Sequence, residues 1–240
     1  MEYDSGYSYG LGVFETMSVI DGRCIMLDRH MRRLFHGLDV IGISTGLDEC
    51  RVKEFVSDGH LDGRVLKIEV SEKNVIFSDR PNTYGRDEYS RGFRMNISKI
   101  RRNETSPLTY IKSLGYGDSI MEKRMSKSIG FDEPLFLNSR GELCEGATTN
   151  IFFSRNGRLF TPKKECGLLP GTVRGFILDD LGAEEWVILP EDLGSFDGCF
   201  LTNSVMGIMP VTSIENIGFD DRTVTEDVSA LYRKAVKEGL

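Results

Sequence analysis

The sequence lacks any C-x-x-C pair, and its five cysteines are scattered along the chain: Cys24, Cys50, Cys144, Cys166 and Cys199. This odd, dispersed set indicates neither a disulfide framework nor a zinc site. Histidine is equally scarce, because only three occur and none has cysteine or carboxylate neighbours at metal-ligand spacing. We therefore predict buried thiols and no metal centre.

Long apolar runs and an excess of basic residues are missing as well. No run approaches the ~20 residues that span a bilayer, and the first residues, MEYDSGYSYG, do not resemble a secretory signal. Lysine and arginine number 30 against 37 acidic residues, which gives a formal net charge of −7. We therefore expect a soluble cytoplasmic protein without nucleic-acid or membrane partners.

The apolar content of 40% is enough for a packed core in one large or two small domains. Alternating and β-branched residues predict a hairpin at 13–20 and 24–27, joined by Asp21-Gly22-Arg23. Helical spacing predicts a helix from Asp28, its expected N-cap, to about Gly42. Further helices are predicted at about 47–57, 118–129, after Pro170, and 222–238, and strands at 64–71, 75–78, 92–100, 134–138, 149–154, 158–161, 185–189, 198–203 and 207–214.

A polar, turn-like segment, RRNETS, precedes Pro107 and divides the pattern. We predict a linker at about 101–107 between a small domain, 1–103, and a larger domain, 107–240. Strands and helices interleave without a regular βαβ rhythm, which favours the α+β class.

Seven short segments carry most of the functional information. In chain order they are YGLGVFET (9–16), LDRHMRRL (27–34), IKSLGY (111–116), LCEGATTNIFF (143–153), LFTP (159–162), GLLPGTVR (167–174) and FLTNSVMGIMPV (200–211). This succession resembles the fold-type IV pyridoxal-phosphate enzymes, the class IV aminotransferase family, over nearly the whole chain. The resemblance implies pyridoxal 5'-phosphate as cofactor. It also implies a small α/β N-terminal domain and a larger C-terminal domain with a β-barrel-like sheet.

The resemblance identifies Lys112 as the Schiff-base lysine of such an enzyme, the residue that also serves as its general base. Most lysines of a protein are surface residues, so it is the surrounding motif that singles out Lys112. Glu145, in C-E-G-A-T-T-N, occupies the position of the carboxylate beside the pyridine nitrogen. Read without the motif, Glu145 is a turn carboxylate beside a glycine.

For the coenzyme phosphate, the predicted helix start at Thr172 and Val173 supplies backbone donors and the positive end of a helix dipole. Arg33 matches the arginine of the family's H-x-x-R-L helix, whose guanidinium can bind two phosphate oxygens. Ser204 occupies a position that reaches the phosphate, and Thr149 one under the ring. Taken singly, each of these residues would rather be interpreted as an ordinary helix cap or surface arginine.

For the substrate, the resemblance implies contacts from Phe14, Arg80 and Asn203. Phe14 lies with Glu15 on a strand that points toward the coenzyme in the family, and Tyr116 is expected near the ring hydroxyl. Arg80 falls in a small-domain loop that faces the site in relatives, although an exposed loop arginine is a comparable interpretation. The resemblance further implies a homodimer that acts on a small amino substrate.

The chain also departs from the family pattern. It begins almost at the D-x-G-x-x-x-G segment, so we expect that two strands normally found before it, and with them part of the small domain, are missing or replaced. Gly115 stands where asparagine is usual after the lysine motif, and P-G-T-V-R replaces P-G-I-T-R, which moves the threonine back by one residue.

Within the family, TNSVMGIMPV and GLGVFET are more similar to the lyase branch. The predicted reaction converts 4-amino-4-deoxychorismate to 4-aminobenzoate and pyruvate, a step of folate biosynthesis. One alternative is an aminotransferase of branched-chain or D-amino acids, and another is a truncated, inactive relative. A binding protein without catalysis is the remaining interpretation.

Overall fold

The structure is a computed structural model that describes all 240 residues. Its helices are α1 (Ser5–Tyr9), α2 (Leu27–Ile41), α3 (Glu49–Asp58), α4 (Arg86–Arg91), α5 (Gly117–Ser128), α6 (Thr172–Leu181) and α7 (Thr223–Glu238). Its strands are β1 (Gly12–Ile20), β2 (Arg23–Cys24), β3 (Arg64–Ser71), β4 (Val75–Pro81), β5 (Phe93–Arg102), β6 (Glu133–Asn138), β7 (Leu143–Gly146), β8 (Asn150–Arg155), β9 (Arg158–Pro162), β10 (Glu184–Trp186), β11 (Gly198–Asn203), β12 (Gly207–Ile214) and β13 (Ile217–Gly218). No helix is both long enough and apolar enough to cross a membrane.

The first compact unit consists of Met1–Thr83, Ile111–Tyr116 and Glu238–Leu240. Its antiparallel sheet has the strand order β2-β1-β3-β4. Helices α2 and α3 supply most of the rest of its core, and α2 comes close to β1 at Gly37, where a β-carbon would lie 2.9 Å from Val13 Cγ1. The buried apolar residues of this core are Val13, Met17, Val19, Met31, Leu34, Leu38, Leu47, Val52, Val56, Leu61, Leu66, Ile68, Val70 and Ile111.

The first hairpin forms, because Asp21 and Gly22 both adopt positive φ angles, 51° and 69°, which a two-residue type I′ turn requires. Its second strand is shorter than the predicted 24–27, since β2 covers only Arg23–Cys24, with Arg23 in the strand and not in the turn. Helix α2 begins differently from the prediction. Its N-cap is Met26, which has a φ of 57° and makes no side-chain cap bond, and Asp28 lies in the first turn instead. There its carboxylate still complements the positive end of the helix dipole.

The second compact unit consists of Tyr84–Tyr110 and Gly117–Lys237. Its nine-stranded sheet has the order β10-β9-β8-β11-β12-β5-β6-β7, with β13 paired to β12. Strand β5 runs parallel to both β6 and β12, and β9 runs parallel to β10, whereas the other pairs are antiparallel. Two sheets with helices outside any regular βαβ order match the predicted α+β class.

Four strands of this sheet, β6, β7, β8 and β11, are covered on both faces, which explains why apolar residues lie on both sides of each strand. Every residue of β6 and β7 is buried, as are all but the last of β8 and β11. Phe153 and Leu201 belong to one core cluster. Phe152 and Phe200 alternate to the opposite face, where their rings stack with centroids 5.2 Å apart.

The boundaries of the two compact units differ from those of the predicted domains, 1–103 and 107–240. Strand β5, which the sequence analysis placed in the domain 1–103, pairs with β6 and β12 in the second unit. The segment Ile111–Tyr116 returns to the first unit, where the backbone N–H of Phe14 donates to Lys112 O at 2.9 Å. These pairings join residues far apart in sequence, so local patterns do not reveal them.

The stacked rings of Phe152 and Phe200 predict a measurable contribution to stability. Phe200→Ala removes a fully buried ring and should lower the free energy of unfolding by about 3–5 kcal/mol, since the cavity closes only in part. Urea unfolding followed by circular dichroism measures this loss. Leu231→Ala, at a side chain on α7 that is 48% exposed, is the control and should change little; equal losses would contradict the packing described here.

Candidate active site

Lys112 is held against β1 by backbone pairing. Besides the bond from Phe14, the N–H of Leu114 donates to Gly12 O at 2.9 Å, so the segment extends the sheet beside β1. The half-buried Lys112 places Nζ 4.4 Å from the ring centroid of Phe14 and 5.2 Å from that of Tyr116. The ammonium group therefore lies among aromatic faces, which attract a cation. This is the sheltered environment expected for the lysine of a pyridoxal-phosphate enzyme.

A buried cluster of charged side chains lies between β1 and α2. Glu15 has no exposed surface and accepts two hydrogen bonds from Arg33, Nε to Oε1 and Nη2 to Oε2, both at 2.7 Å. His30, one turn before Arg33 on α2, places Nδ1 2.6 Å from Glu15 Oε2. Arg33 thus uses one edge of its guanidinium to bind Glu15.

The charges of this cluster are set by burial and by pairing. Burial alone raises the pKa of Glu15, but the charges and hydrogen bonds of Arg33 and His30 lower that pKa to about 2. Burial lowers the pKa of His30 below its usual value, although Glu15 opposes the shift. At neutral pH, Glu15 is therefore ionised and His30 is neutral.

In the second unit, Glu145 on β7 is almost completely buried. Its Oε2 accepts the backbone N–H of Leu169 at 3.0 Å, and its Oε1 lies 3.2 Å from Nη2 of Arg102. The guanidinium of Arg102 stacks 3.9 Å above the ring centroid of Phe136. Sequence reasoning missed Arg102, because it stands in the polar RRNETS segment interpreted as a linker.

The loop that follows Glu145 is fixed by a buried ion pair. Glu133 on β6 has no exposed surface, and its Oε1 accepts the backbone N–H of Thr148 at 2.8 Å and the hydroxyl of Thr149 at 3.3 Å. Lys123 on α5 places Nζ 2.9 Å from Glu133 Oε2. Neither residue of this ion pair belongs to the motifs that pointed to the site.

The start of α6 offers an anion-binding end. Thr172 and Val173 are the first helical residues and are buried, and the N-cap, Gly171, has no side chain to bond to their N–H groups. A β-carbon at Gly171 would overlap the side-chain oxygen of Asn150, so a larger residue here would have to displace that side chain. A helix start without a side-chain cap presents N–H groups and a partial positive charge to an anion.

The last two predicted site residues of this unit lie at the end of β11. Asn203 ends the strand, and Ser204 follows it in a turn. The side-chain oxygen of Asn203 accepts the N–H groups of Val205 and Met206 at 2.9 and 2.8 Å, and its Nδ2 donates to Thr148 O at 3.2 Å. The amide predicted to contact substrate thus holds the turn.

Arg80 lies on β4 rather than in the loop in which the sequence analysis placed it. The strand is longer than predicted because residues from Arg64 to Val70 pair with it along their whole length. Arg80 is exposed, and its Nη1 donates to the neighbouring Pro81 O at 3.1 Å. In this unit the structure places Phe14 beside Lys112. The hydrogen bond described for the Arg80 side chain is made to its own strand.

The sequence model of the family described as "Amino-transferase class IV" matches residues 12–214. The chain belongs to this family. Its enzymes depend on pyridoxal 5'-phosphate, so the family and cofactor predicted from the seven motifs are confirmed.

Relatives of this class IV chain include enzymes of two reaction types. It is 28% identical to the aminodeoxychorismate lyase of Bacillus subtilis, over 98% of this chain and 89% of the relative. The branched-chain aminotransferase of Thermoproteus uzoniensis, solved with norvaline, superposes with a TM-score of 0.84 at 26% identity, over 97% of this chain and 87% of that one. The 4-amino-4-deoxychorismate lyase of Pseudomonas aeruginosa superposes equally well, with a TM-score of 0.84 at 23% identity, over 98% and 95% of the two chains. These likenesses confirm the fold class.

The groups that this class IV chain presents fit the coenzyme. The first unit supplies an amine among aromatic rings at Lys112. The second supplies a buried carboxylate beside an arginine at Glu145 and a helix start without a side-chain cap at Thr172. An aldehyde, a pyridine nitrogen and a phosphate require these three kinds of partner.

The neutral state of His30 predicts a pH-dependent stability. As the pH falls below about 6.5, the imidazole of His30 binds a proton in the unfolded chain but stays neutral in the folded chain, where its pKa is lower. The wild type should therefore lose up to about 1.4 kcal/mol of unfolding free energy per pH unit through this one group. Urea unfolding from pH 7.5 to 5.5 measures the slope, which should be shallower in His30→Gln.

The other two histidines, His36 and His60, are exposed in both proteins, so they cancel in this comparison. Parallel pH curves for the wild type and His30→Gln would contradict the neutral assignment of His30.

Proposed function

We propose that this class IV chain is a pyridoxal-phosphate-dependent lyase that converts 4-amino-4-deoxychorismate to 4-aminobenzoate and pyruvate. The placement of Lys112 Nζ against Phe14 and Tyr116 supports catalysis through a lysine amine. The choice of the lyase reaction is supported by the likeness to the Bacillus subtilis lyase and by an asparagine at position 203, where aminotransferases of this family usually carry a small residue.

When bound, pyridoxal phosphate supplies an aldehyde that joins to an amine and a ring that withdraws electrons from the neighbouring carbon. We assign to Lys112 Nζ two tasks: it holds the aldehyde between turnovers and, after the substrate amine displaces it, takes the proton from the amine-bearing carbon. Loss of that proton would break the carbon–oxygen bond to the leaving group, which departs as the enolate of pyruvate and takes up a proton from solvent to give pyruvate, and the ring of the product would become aromatic.

Glu145 holds the proton on the pyridine nitrogen in this proposal, because an ionised carboxylate favours the protonated form of a neighbouring base. Arg102, 3.2 Å away, balances the buried charge of Glu145 and keeps that side chain in place. Thr149 lies in the loop held by Glu133 and is assigned to the ring.

The phosphate is assigned to the N–H groups of Thr172 and Val173, to the hydroxyl of Ser204, and to Arg33. Arg33 is oriented by Glu15 through two hydrogen bonds, so its guanidinium is held in a fixed direction. Phe14 and Arg80 stay assigned to the substrate, and the product 4-aminobenzoate places the reaction in folate biosynthesis. We further propose that the protein is cytoplasmic and a homodimer, the assembly that the family resemblance implies.

An aminotransferase of branched-chain or D-amino acids is the second candidate, supported by the structural likeness to the Thermoproteus uzoniensis aminotransferase. The two reactions differ in what they require. A lyase returns the coenzyme unchanged after each turnover, whereas an aminotransferase leaves it in the amine form until a keto acid restores it.

The test is a turnover assay with 4-amino-4-deoxychorismate and no keto acid. We expect many molecules of pyruvate and 4-aminobenzoate per active site, with the coenzyme's visible absorption unchanged at the end. Lys112→Ala should lose the visible band and lower the rate by about a thousandfold or more, because both proposed tasks of the amine are removed.

Borohydride reduction followed by peptide mass spectrometry locates the attached coenzyme directly. Lys53→Ala, at an exposed residue of α3, is the control and should behave as the wild type. A coloured and active Lys112→Ala would eliminate the assignment of Lys112. A coenzyme converted to its amine form by an amino acid, and restored by a keto acid, would instead establish the aminotransferase.

Glu145 can be tested separately from coenzyme attachment. Glu145→Gln should retain the coenzyme but slow turnover by about a hundredfold, since a neutral amide does not hold the pyridine protonated. Single-turnover kinetics at saturating coenzyme measure the change. Glu142→Gln, at a nearby, largely buried carboxylate that pairs with Arg140, is the matched control, and equal rates in all three proteins would refute the proposed role.

A further inference from the structure

The turn from Asn203 to Met206 is closed by a single side chain. The amide oxygen of Asn203 accepts the backbone N–H groups of Val205 and Met206, at 2.9 and 2.8 Å. An amide oxygen has two acceptor sites, so both are used. Ser204 lies inside this turn and therefore takes its position from Asn203.

The same side chain joins the turn to a second segment. Nδ2 of Asn203 donates to the backbone oxygen of Thr148 at 3.2 Å. Thr148 in turn donates its N–H to Glu133 Oε1 at 2.8 Å, and its hydroxyl lies 2.8 Å from Nζ of Lys123. The buried ion pair of Glu133 and Lys123 thus holds one side of the contact, and Asn203 holds the other.

A third bond fixes the far end of the turn. Tyr89 on α4 donates its hydroxyl to Met206 O at 2.6 Å. Burial raises the pKa of Tyr89 to about 12, so the phenol remains a hydrogen-bond donor throughout the neutral and mildly alkaline range. The turn is therefore held at both ends by groups that do not titrate near neutral pH.

We infer that Asn203 is a positioning residue, which locks the turn bearing Ser204 to the loop bearing Glu145 and Thr149, rather than a contact of the substrate. This inference rests on the proposed function, because Ser204, Glu145 and Thr149 are proposed coenzyme contacts there. Of the hydrogen-bonding capacity of its amide, three bonds are made within the protein and only one N–H is left. A side chain so engaged holds its neighbours in place, and its loss alters their spacing.

Two substitutions separate the alternatives. Asn203→Asp keeps an oxygen that accepts the N–H groups of Val205 and Met206, whereas Asn203→Ala removes all three bonds. In the coenzyme-free protein, hydrogen exchange at the amides of Val205 and Met206 should therefore accelerate by about tenfold or more in Asn203→Ala and stay near the wild-type rate in Asn203→Asp.

The coenzyme provides the second measurement. The dissociation constant of pyridoxal phosphate should rise about tenfold or more in Asn203→Ala, which loses all three bonds, and about fivefold in Asn203→Asp, which loses only the bond from Nδ2 to Thr148 O, because a lost hydrogen bond weakens binding by about fivefold. At saturating coenzyme, the KM for the amino substrate should be unchanged in both variants. Tyr89→Phe, which removes one bond at the other end of the turn, should weaken coenzyme binding by about fivefold with the same KM.

Opposite results would overturn the inference. If the KM rises in both Asn203 variants while the coenzyme binds as in the wild type, Asn203 contacts the substrate. Unchanged hydrogen exchange in Asn203→Ala would show that Asn203 does not hold the turn, whatever the coenzyme does. If wild-type protein does not bind pyridoxal phosphate, the proposed function is wrong, and so is the inference that Asn203 positions coenzyme contacts. Hydrogen exchange would still show separately whether Asn203 closes the turn.

Discussion

The arrangement of this protein depends on the cost of removing a carboxylate from water. Glu15, Glu133 and Glu145 are buried, and each meets a cation within about 3 Å. An unpaired ionised carboxylate at these places would destabilise the fold by several kcal/mol, so the partner cation and the segment that carries it are fixed as well. In this way α2 is fixed to β1, α5 to β6, and the end of β5 to β7. The proposed coenzyme residues Arg33, Glu145 and Thr149 belong to these ion pairs or hydrogen-bond to them, so the pairs hold them in place.

Much of the fold could be read from the sequence because its signals are local. Strand β3 was predicted at 64–71, as observed, and α3 begins after Asp48, whose side chain accepts the N–H of Arg51. The pairings between distant segments could not be read in this way. Lys112 belongs to a short segment without a periodic pattern, and its place beside β1 depends on backbone bonds to Gly12 and Phe14.

The residues of the candidate site could be predicted where they stand in sequence motifs that are specific to the family. An amine in the motif around Lys112 and a carboxylate in the motif around Glu145 could be recognised through the family's ordered segments. The cations Arg102 and Lys123 could not, because a lone basic residue on a strand or helix is most often a surface residue. Asn203 shows the converse, since its chemistry permitted a substrate contact while its surroundings engage the amide in a turn.

The proposed groups do not by themselves separate a lyase from an aminotransferase. A base at Lys112 and a carboxylate at Glu145 serve proton removal, which both reactions share. After that step a lyase needs a leaving group that the substrate brings with it, and aromatisation then favours the product. An aminotransferase has to return the proton to another carbon and admit a second substrate in the same place. The difference therefore lies in which substrate the remaining side chains accept.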